Sequence, residues 1–182
     1  MISTKEKDIS KTKVEIIKEA KRIEEACLYS SKGHFAASSF WNKFHLYIGV
    51  PTVILSAIVG TAFIAQIDKY KVIAGVISLL VAALTALITF LNPNEKADKH
   101  LSSGNYYDSL QNKVRIFWTI DCNSTEDNEI LTGKLKDYSE QKDRINQTSP
   151  QIPWFAYNTA KKGIERGEAE YSVDNQPSNN SL

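Results

Sequence analysis

Residues 46–67 and 72–91 form two stretches, of roughly 22 and 20 residues, without a single charged side chain, joined by the four residues Asp68-Lys69-Tyr70-Lys71. A helix rises about 1.5 Å per residue, so each stretch would be a rod about 30 Å long, the thickness of a bilayer's hydrocarbon core. Helices buried in a soluble domain usually keep a polar stripe and seldom run this far without a charge. Two in succession therefore point to two membrane spans. The mean hydropathy of −0.30 is no objection, because the strongly polar remainder dilutes these segments. So short a connector makes the spans antiparallel neighbours. The expected fold class is an all-α integral membrane protein, a two-helix transmembrane hairpin continuous with or flanked by cytosolic helices.

The same residues exclude several function classes. The first 45 residues are charged and helical in pattern, unlike the short positive region before a cleaved signal core, so the first span is expected to stay in the mature chain. Cys27 and Cys122 are the only two cysteines and have no CxxC or His-rich spacing, which suits a reducing compartment and neither a disulfide framework nor a metal site. A net charge of +1, with no Lys/Arg stripe interleaved with aromatics, argues against direct nucleic-acid binding. No HExxH, GxSxG, P-loop or GxGxxG occurs, and the acidic residues alternate with Lys and Arg as in KLKDYSEQKDR, the pattern of a solvated face. No catalytic residue, cofactor or metal is expected, and the chain is not read as an enzyme.

Orientation follows from charge and bulk. Lys32, Lys43, Lys96 and Lys99 flank the hairpin on the side of the termini, against Lys69 and Lys71 in the connector. Nearly all the charge lies before and after the hairpin, so a multi-pass protein with both termini cytoplasmic is expected. Phe40, Trp41, Phe44 and Tyr47 cluster where the first span begins, as an interfacial aromatic belt would.

Four segments result: an N-terminal cytosolic helix over 1–45, the hairpin over 46–91, C-terminal cytosolic helices over 92–173, and a tail over 174–182 with a disordered composition. Ile16, Ala20, Ile23, Cys27, Ser30, His34, Ala37, Trp41 and Phe44 recur at spacings of four and three, on one side of a helix that runs into the first span. His34 on this stripe reads as a packed residue. Asn92-Pro93-Asn94 should end the second span, with a new helix near Glu95 whose apolar side carries Tyr106, Leu110, Val114 and Phe117. Asn123-Ser124-Thr125 reads as a cap and turn before a helix carrying Leu131, Leu135, Tyr138, Lys142 and Ile145. Ser149-Pro150 stops that helix, and Pro153 opens a last one through about Glu170.

Helices in lipid pack through small residues and hydroxyls, because burying apolar surface gains little there. In the second span Gly75, Ser78, Ala82, Thr85, Ala86 and Thr89 share an arc of roughly 100°, with Ile73, Ile77, Leu80, Leu84, Leu87, Ile88 and Leu91 opposite. In the first, Gly49, Thr52, Ser56 and Gly60 share an arc of roughly 80°, together with Phe63, either a hydrophobic constriction or a packing residue. These eleven are the candidate pore-lining or helix-packing residues. Either the two stripes close the hairpin on itself as an anchor, or stripes from several copies line a pore, since two helices cannot enclose water. Periodicity does not separate the two.

The order of FWNKFHLYIGVPTVILSAI, a short-loop hairpin, LSSGNYYDSLQNKVR and LTGKLKDYSEQKDRINQTSPQIPWFAYNTAKKGI resembles the SLATT family of bacterial two-transmembrane effectors, over about residues 15 to 173. The resemblance implies a membrane effector of a bacterial defence system. Such an effector would form a homo-oligomer in the inner membrane and form or gate a pore that depolarises it. The trigger would be an upstream sensor or a nucleotide signal from a nucleotidyltransferase or reverse-transcriptase system. The family offers no catalytic residues to carry over. The alternative is a membrane-anchored adaptor that tethers a cytosolic partner through the Leu131 to Ile145 stripe. A transporter subunit would more usually carry a charged residue at mid-membrane, and none is present.

Overall fold

The structure, a computed structural model, describes residues 2–64, 71–124 and 127–173; of residues 2–10 and 62–64 it describes the backbone. Five α-helices follow one another among these residues: α1 (Ile2–Ile64), α2 (Lys71–Leu91), α3 (Pro93–Thr119), α4 (Asn128–Thr148) and α5 (Trp154–Glu165). A single 3-10 turn, Asp121–Asn123, lies between α3 and α4, and no strand occurs among the described residues. The chain is all-α. Lys71, assigned to the connector from sequence, is the first residue of α2; the rest of the connector and the tail lie outside the described residues.

Two compact units emerge, Met1–Ala36 with Ser102–Leu182, and Ala37–Leu101. α1 and α3 contribute to both, so the units divide these helices internally, whereas the sequence segments divide at 45/46 and 91/92.

In the first unit Ile16, Ala20, Ile23 and Cys27 of α1 bury against Tyr107, Leu110, Val114 and Phe117 of α3, with Cys122 and Leu131 completing the core. The α1 stripe read from sequence is this face, with Ser31 replacing Ser30: Ser31 is buried and its hydroxyl donates to the Leu28 carbonyl at 3.0 Å. On α3 the buried tyrosine is Tyr107, at 2% exposure, and Tyr106 is 62% exposed. The spacing of three, four and three from Tyr107 to Phe117 holds one helix face, while a start at Tyr106 drifts off it. His34 is buried and stacks on Tyr107 at 5.6 Å, and the Tyr107 hydroxyl donates to Asn146 Oδ1, which ties α1, α3 and α4 together. Leu135, Tyr138 and Ile145 pack on the same core, with Tyr138 edge-on to Phe117 at 5.4 Å. The Leu131 to Ile145 stripe therefore covers the chain's own bundle, which leaves it unavailable as the adaptor surface considered from sequence.

The helix ends differ from expectation in instructive ways. α4 is capped by the Asp127 carboxylate, which accepts from the Glu129 amide, whereas Asn123 ends the 3-10 turn, Ser124 caps that turn and Thr125 lies outside the described residues. α5 ends at Glu165, short of Glu170, because Gly167 adopts φ +83° and the Glu168 amide turns back to the Gly163 carbonyl at 3.1 Å.

In the second unit α1 continues from Ala37 through Pro51, which has no N–H to give the Tyr47 carbonyl. Such a proline is tolerated in a span where neighbouring groups satisfy the freed backbone. The break after α2 is a single residue, Asn92, at φ +42°; its amide still bonds to the Ile88 carbonyl at 3.0 Å and its carbonyl accepts from the Lys96 amide at 3.2 Å. Hence α3 begins at Pro93, two residues before Glu95, with proline in the first helical position, where a missing N–H costs nothing. Phe40, Trp41 and Phe44 pack ring to ring at 5.4 to 6.2 Å, and the Lys96 ammonium sits 4.5 Å over Trp41.

Candidate functional site

α1 and α2 are long and apolar enough to cross a membrane. They run antiparallel: His45 Nε2 lies 3.4 Å from Asn94 Nδ2, and residues 45–54 of α1 share a cavity with residues 85–89 of α2. The half-buried residues of α2 are Ala74, Ile77, Val81, Leu84, Ile88 and Leu91, at spacings alternating between three and four. That is a coiled-coil seam, and α1 meets it with Ile48, Thr52, Leu55 and Val59, of which Thr52 is buried.

Four of the seven large residues assigned opposite the small-residue stripe, Ile77, Leu84, Ile88 and Leu91, therefore pack within the hairpin. Val72, Val76, Leu79 and Phe90 are strongly exposed instead and form the outward apolar face with Ile73, Leu80 and Leu87. The whole small-residue stripe, Gly75, Ser78, Ala82, Thr85, Ala86 and Thr89, is exposed in the single chain, and a Cβ added at Gly75 would meet nothing within 4 Å. Two faces expected from sequence are thus three: a seam toward α1, a large apolar face, and an uncovered small-residue face.

Of the candidates on α1, Thr52 lies in the seam, Gly49 is half-buried beside His45, and Ser56 and Gly60 are exposed. The Phe63 side chain lies outside the described residues. The hydroxyls are turned inward to their own helices: Thr52 donates to the Ile48 carbonyl at 2.7 Å, Ser56 to Thr52 at 2.8 Å, Ser78 to Ala74 at 2.8 Å and Thr89 to Thr85 at 2.9 Å. Each hydroxyl proton is thereby satisfied, and the oxygen keeps acceptor capacity.

Gly49, Thr52, Thr85 and Thr89 are brought together in a cavity of about 510 Å³, with His45, Val53 and Ile88. Sequence reasoning passed over His45 in its lining and read Asn94, which faces His45 Nε2, only as part of the break after the second span. The available signal was position: an imidazole immediately before the first uncharged residue and an amide immediately after the Asn92-Pro93 break. Among the described residues no group of three or more His, Cys, Asp and Glu is placed to hold a metal ion.

These features define a class, an all-α membrane protein with a two-span hairpin and a helical bundle. The chain belongs to the SMODS and SLOG-associating 2TM effector domain family 4, which it matches over residues 15–176. It is accordingly a membrane effector domain of a kind associated with SMODS and SLOG systems, the family the sequence resembles. No curated protein and no solved structure matches the chain.

Proposed function

We propose that the protein is a closed, oligomeric effector of a bacterial defence system, which opens a pore through the inner membrane when an upstream sensor or nucleotide signal reports infection. One observation carries this reading. α1 takes the Leu/Ile seam of α2 and leaves the stripe from Gly75 to Thr89 uncovered, so the face best suited to close helix packing in lipid is available to other copies. Both termini lie in the cytoplasm in this reading, with the bundle on the side where a sensor would act. Hydroxyl oxygens at Ser78, Thr85 and Thr89 would supply acceptors along an opened path, and a shift of α1 would carry the signal to the hairpin.

Cells expressing the protein with an activating partner should lose membrane potential, read with a voltage-sensitive dye. Ser78→Leu/Thr85→Leu should protect them at unchanged protein level. Undiminished toxicity in that double variant removes these residues from the path, and an intact potential under every activating condition returns the chain to the anchor class.

The adaptor reading keeps one specific support. Trp154 is 75% exposed at the start of α5, with Phe155 and Tyr157 also open to solvent, a small aromatic patch that a cytosolic partner could cover.

A further inference from the structure

The cavity between α1 and α2 carries a feature that neither packing nor pore lining requires. His45 Nδ1 is buried and has no hydrogen-bond partner. Across the ring, Nε2 faces the Asn94 amide nitrogen at 3.4 Å. In the neutral tautomer whose Nε2 accepts from this amide, Nδ1 carries the ring proton. That tautomer places a buried N–H without an acceptor at the mouth of a space of about 510 Å³. That volume falls within the roughly 300–1,000 Å³ typical of small-molecule sites. Buried donors are normally satisfied.

Below His45 the walls are mostly apolar. The hydroxyls of Thr52 and Thr89 spend their protons on their own helices, beside Val53 and Ile88. Gly49 widens the space: a Cβ there would meet only His45 Nε2, at 4.0 Å. A long apolar body with one hydrogen-bond acceptor at its end fits such a site. The acceptor end lies at His45, the residue after Phe44 of the aromatic cluster, whose Trp41 carries the Lys96 ammonium at 4.5 Å. Aromatic and basic residues of this kind mark the depth of the headgroups, where ester and phosphate oxygens are found. A helix from a second copy would bring carbonyls already bonded within its own backbone and so meets the donor poorly.

We propose that this groove is a phospholipid site: one acyl chain lies along Gly49, Val53, Ile88 and Thr89, and an ester or phosphate oxygen accepts from His45 Nδ1. The lipid is of the leaflet nearest the termini and is held by each hairpin, independently of whether a pore forms.

The test uses the full chain purified in mild detergent. Native mass spectrometry with added phosphatidylglycerol should show one lipid retained per chain after a delipidating wash. His45→Phe, which keeps the ring and removes its nitrogens, should weaken retention about tenfold, the scale of one hydrogen bond to a charged acceptor. Gly49→Leu should weaken it at least as much by filling the groove, whereas Leu79→Phe on the outward face should leave it unchanged. Should the groove variants lose helical content, wild-type protein in bilayers of a diazirine-acyl phospholipid gives the answer, with label expected to concentrate in residues 45–54 and 85–89. Equal retention in every folded variant, or label spread evenly over the exposed faces, overturns the proposal. So does a wild type without bound lipid whose assembly is broken by Gly49→Leu, which assigns the groove to a second copy.

Discussion

Gly104 lies on α3, where an added Cβ would stand 2.7 Å from Phe35 Cε1 and 2.8 Å from Cδ1. Carbons in good contact sit about 3.5 to 4.0 Å apart, so the Phe35 ring must retreat by about 0.8 Å or more. Forced overpacking of this kind typically costs about 1–3 kcal/mol. The substitution also removes a helix-interior glycine, which returns about 1 kcal/mol. Gly104→Ala should therefore leave the bundle between unchanged and about 2 kcal/mol less stable. Gly133, within α4, provides the internal control: a Cβ there meets nothing within 4 Å, so Gly133→Ala should show the propensity gain alone. The propensity term cancels between the two variants, and their difference isolates the steric cost. At about 2–4 °C per kcal/mol for a chain of this size, the midpoints should be separated by roughly 2 to 12 °C. Thermal melts by circular dichroism in one detergent read this directly. A Gly104→Ala variant as stabilised as Gly133→Ala refutes the close approach of α1 and α3 at this level.

Two further outcomes follow from the bundle core. Burial pushes the Cys27 thiol up from its ordinary value to about 11, with Lys142 partly opposing and Glu24 adding to the shift. A raised folded value means that the contribution is intact below the ordinary thiol value and is lost as pH rises toward 11; folded protein should resist iodoacetamide at pH 9, and stability should fall between pH 9 and 11 more steeply than in Cys27→Ser. Ready alkylation of Cys27 in the folded chain at pH 9 contradicts its burial. Leu131→Ala removes a fully buried side chain and should cost about 2–5 kcal/mol in the same melts, and a loss below half a kcal/mol would show that α4 does not seal this core.

What sequence revealed and what it hid have a common physical basis. Length without charge is a local property, so the two spans were legible, as was the α1 stripe, whose period runs from Ile16 to Phe44 within one continuous helix. Register within one residue was less secure: Ser30 against Ser31 and Tyr106 against Tyr107 differ by about 100° on a helix, and only the partner helix decides which is covered. Caps depend on a single backbone bond, so Asp127 could not be told from the Asn123-Ser124-Thr125 cluster by composition. The seam of α2 was hidden for another reason. In water a partner must cover the large apolar side, but in lipid both a Leu/Ile seam and a small-residue stripe can accept a helix. Periodicity shows that two faces differ and does not show which one the neighbouring span takes.

That division separates contacts within a hairpin from contacts between hairpins, and one pair of substitutions tests it. Ala82 and Leu84 are two residues apart, about 200° around the helix. Leu84 is half-buried in the seam against α1, and Ala82 is exposed. Leu84→Ala thins the seam, so it should lower the melting midpoint while leaving the mass of the assembly unchanged. Ala82→Leu adds bulk where a single hairpin has room, so it should leave helical content intact. If copies pack through the small-residue face, however, it separates backbones that must approach closely, and the assembly should dissociate at concentrations where wild type remains oligomeric. Mass photometry or light scattering in several mild detergents distinguishes the outcomes. An Ala82→Leu variant with wild-type mass throughout shows that copies do not meet on this stripe, and a loss of assembly in Leu84→Ala alone moves the intermolecular contact to the seam.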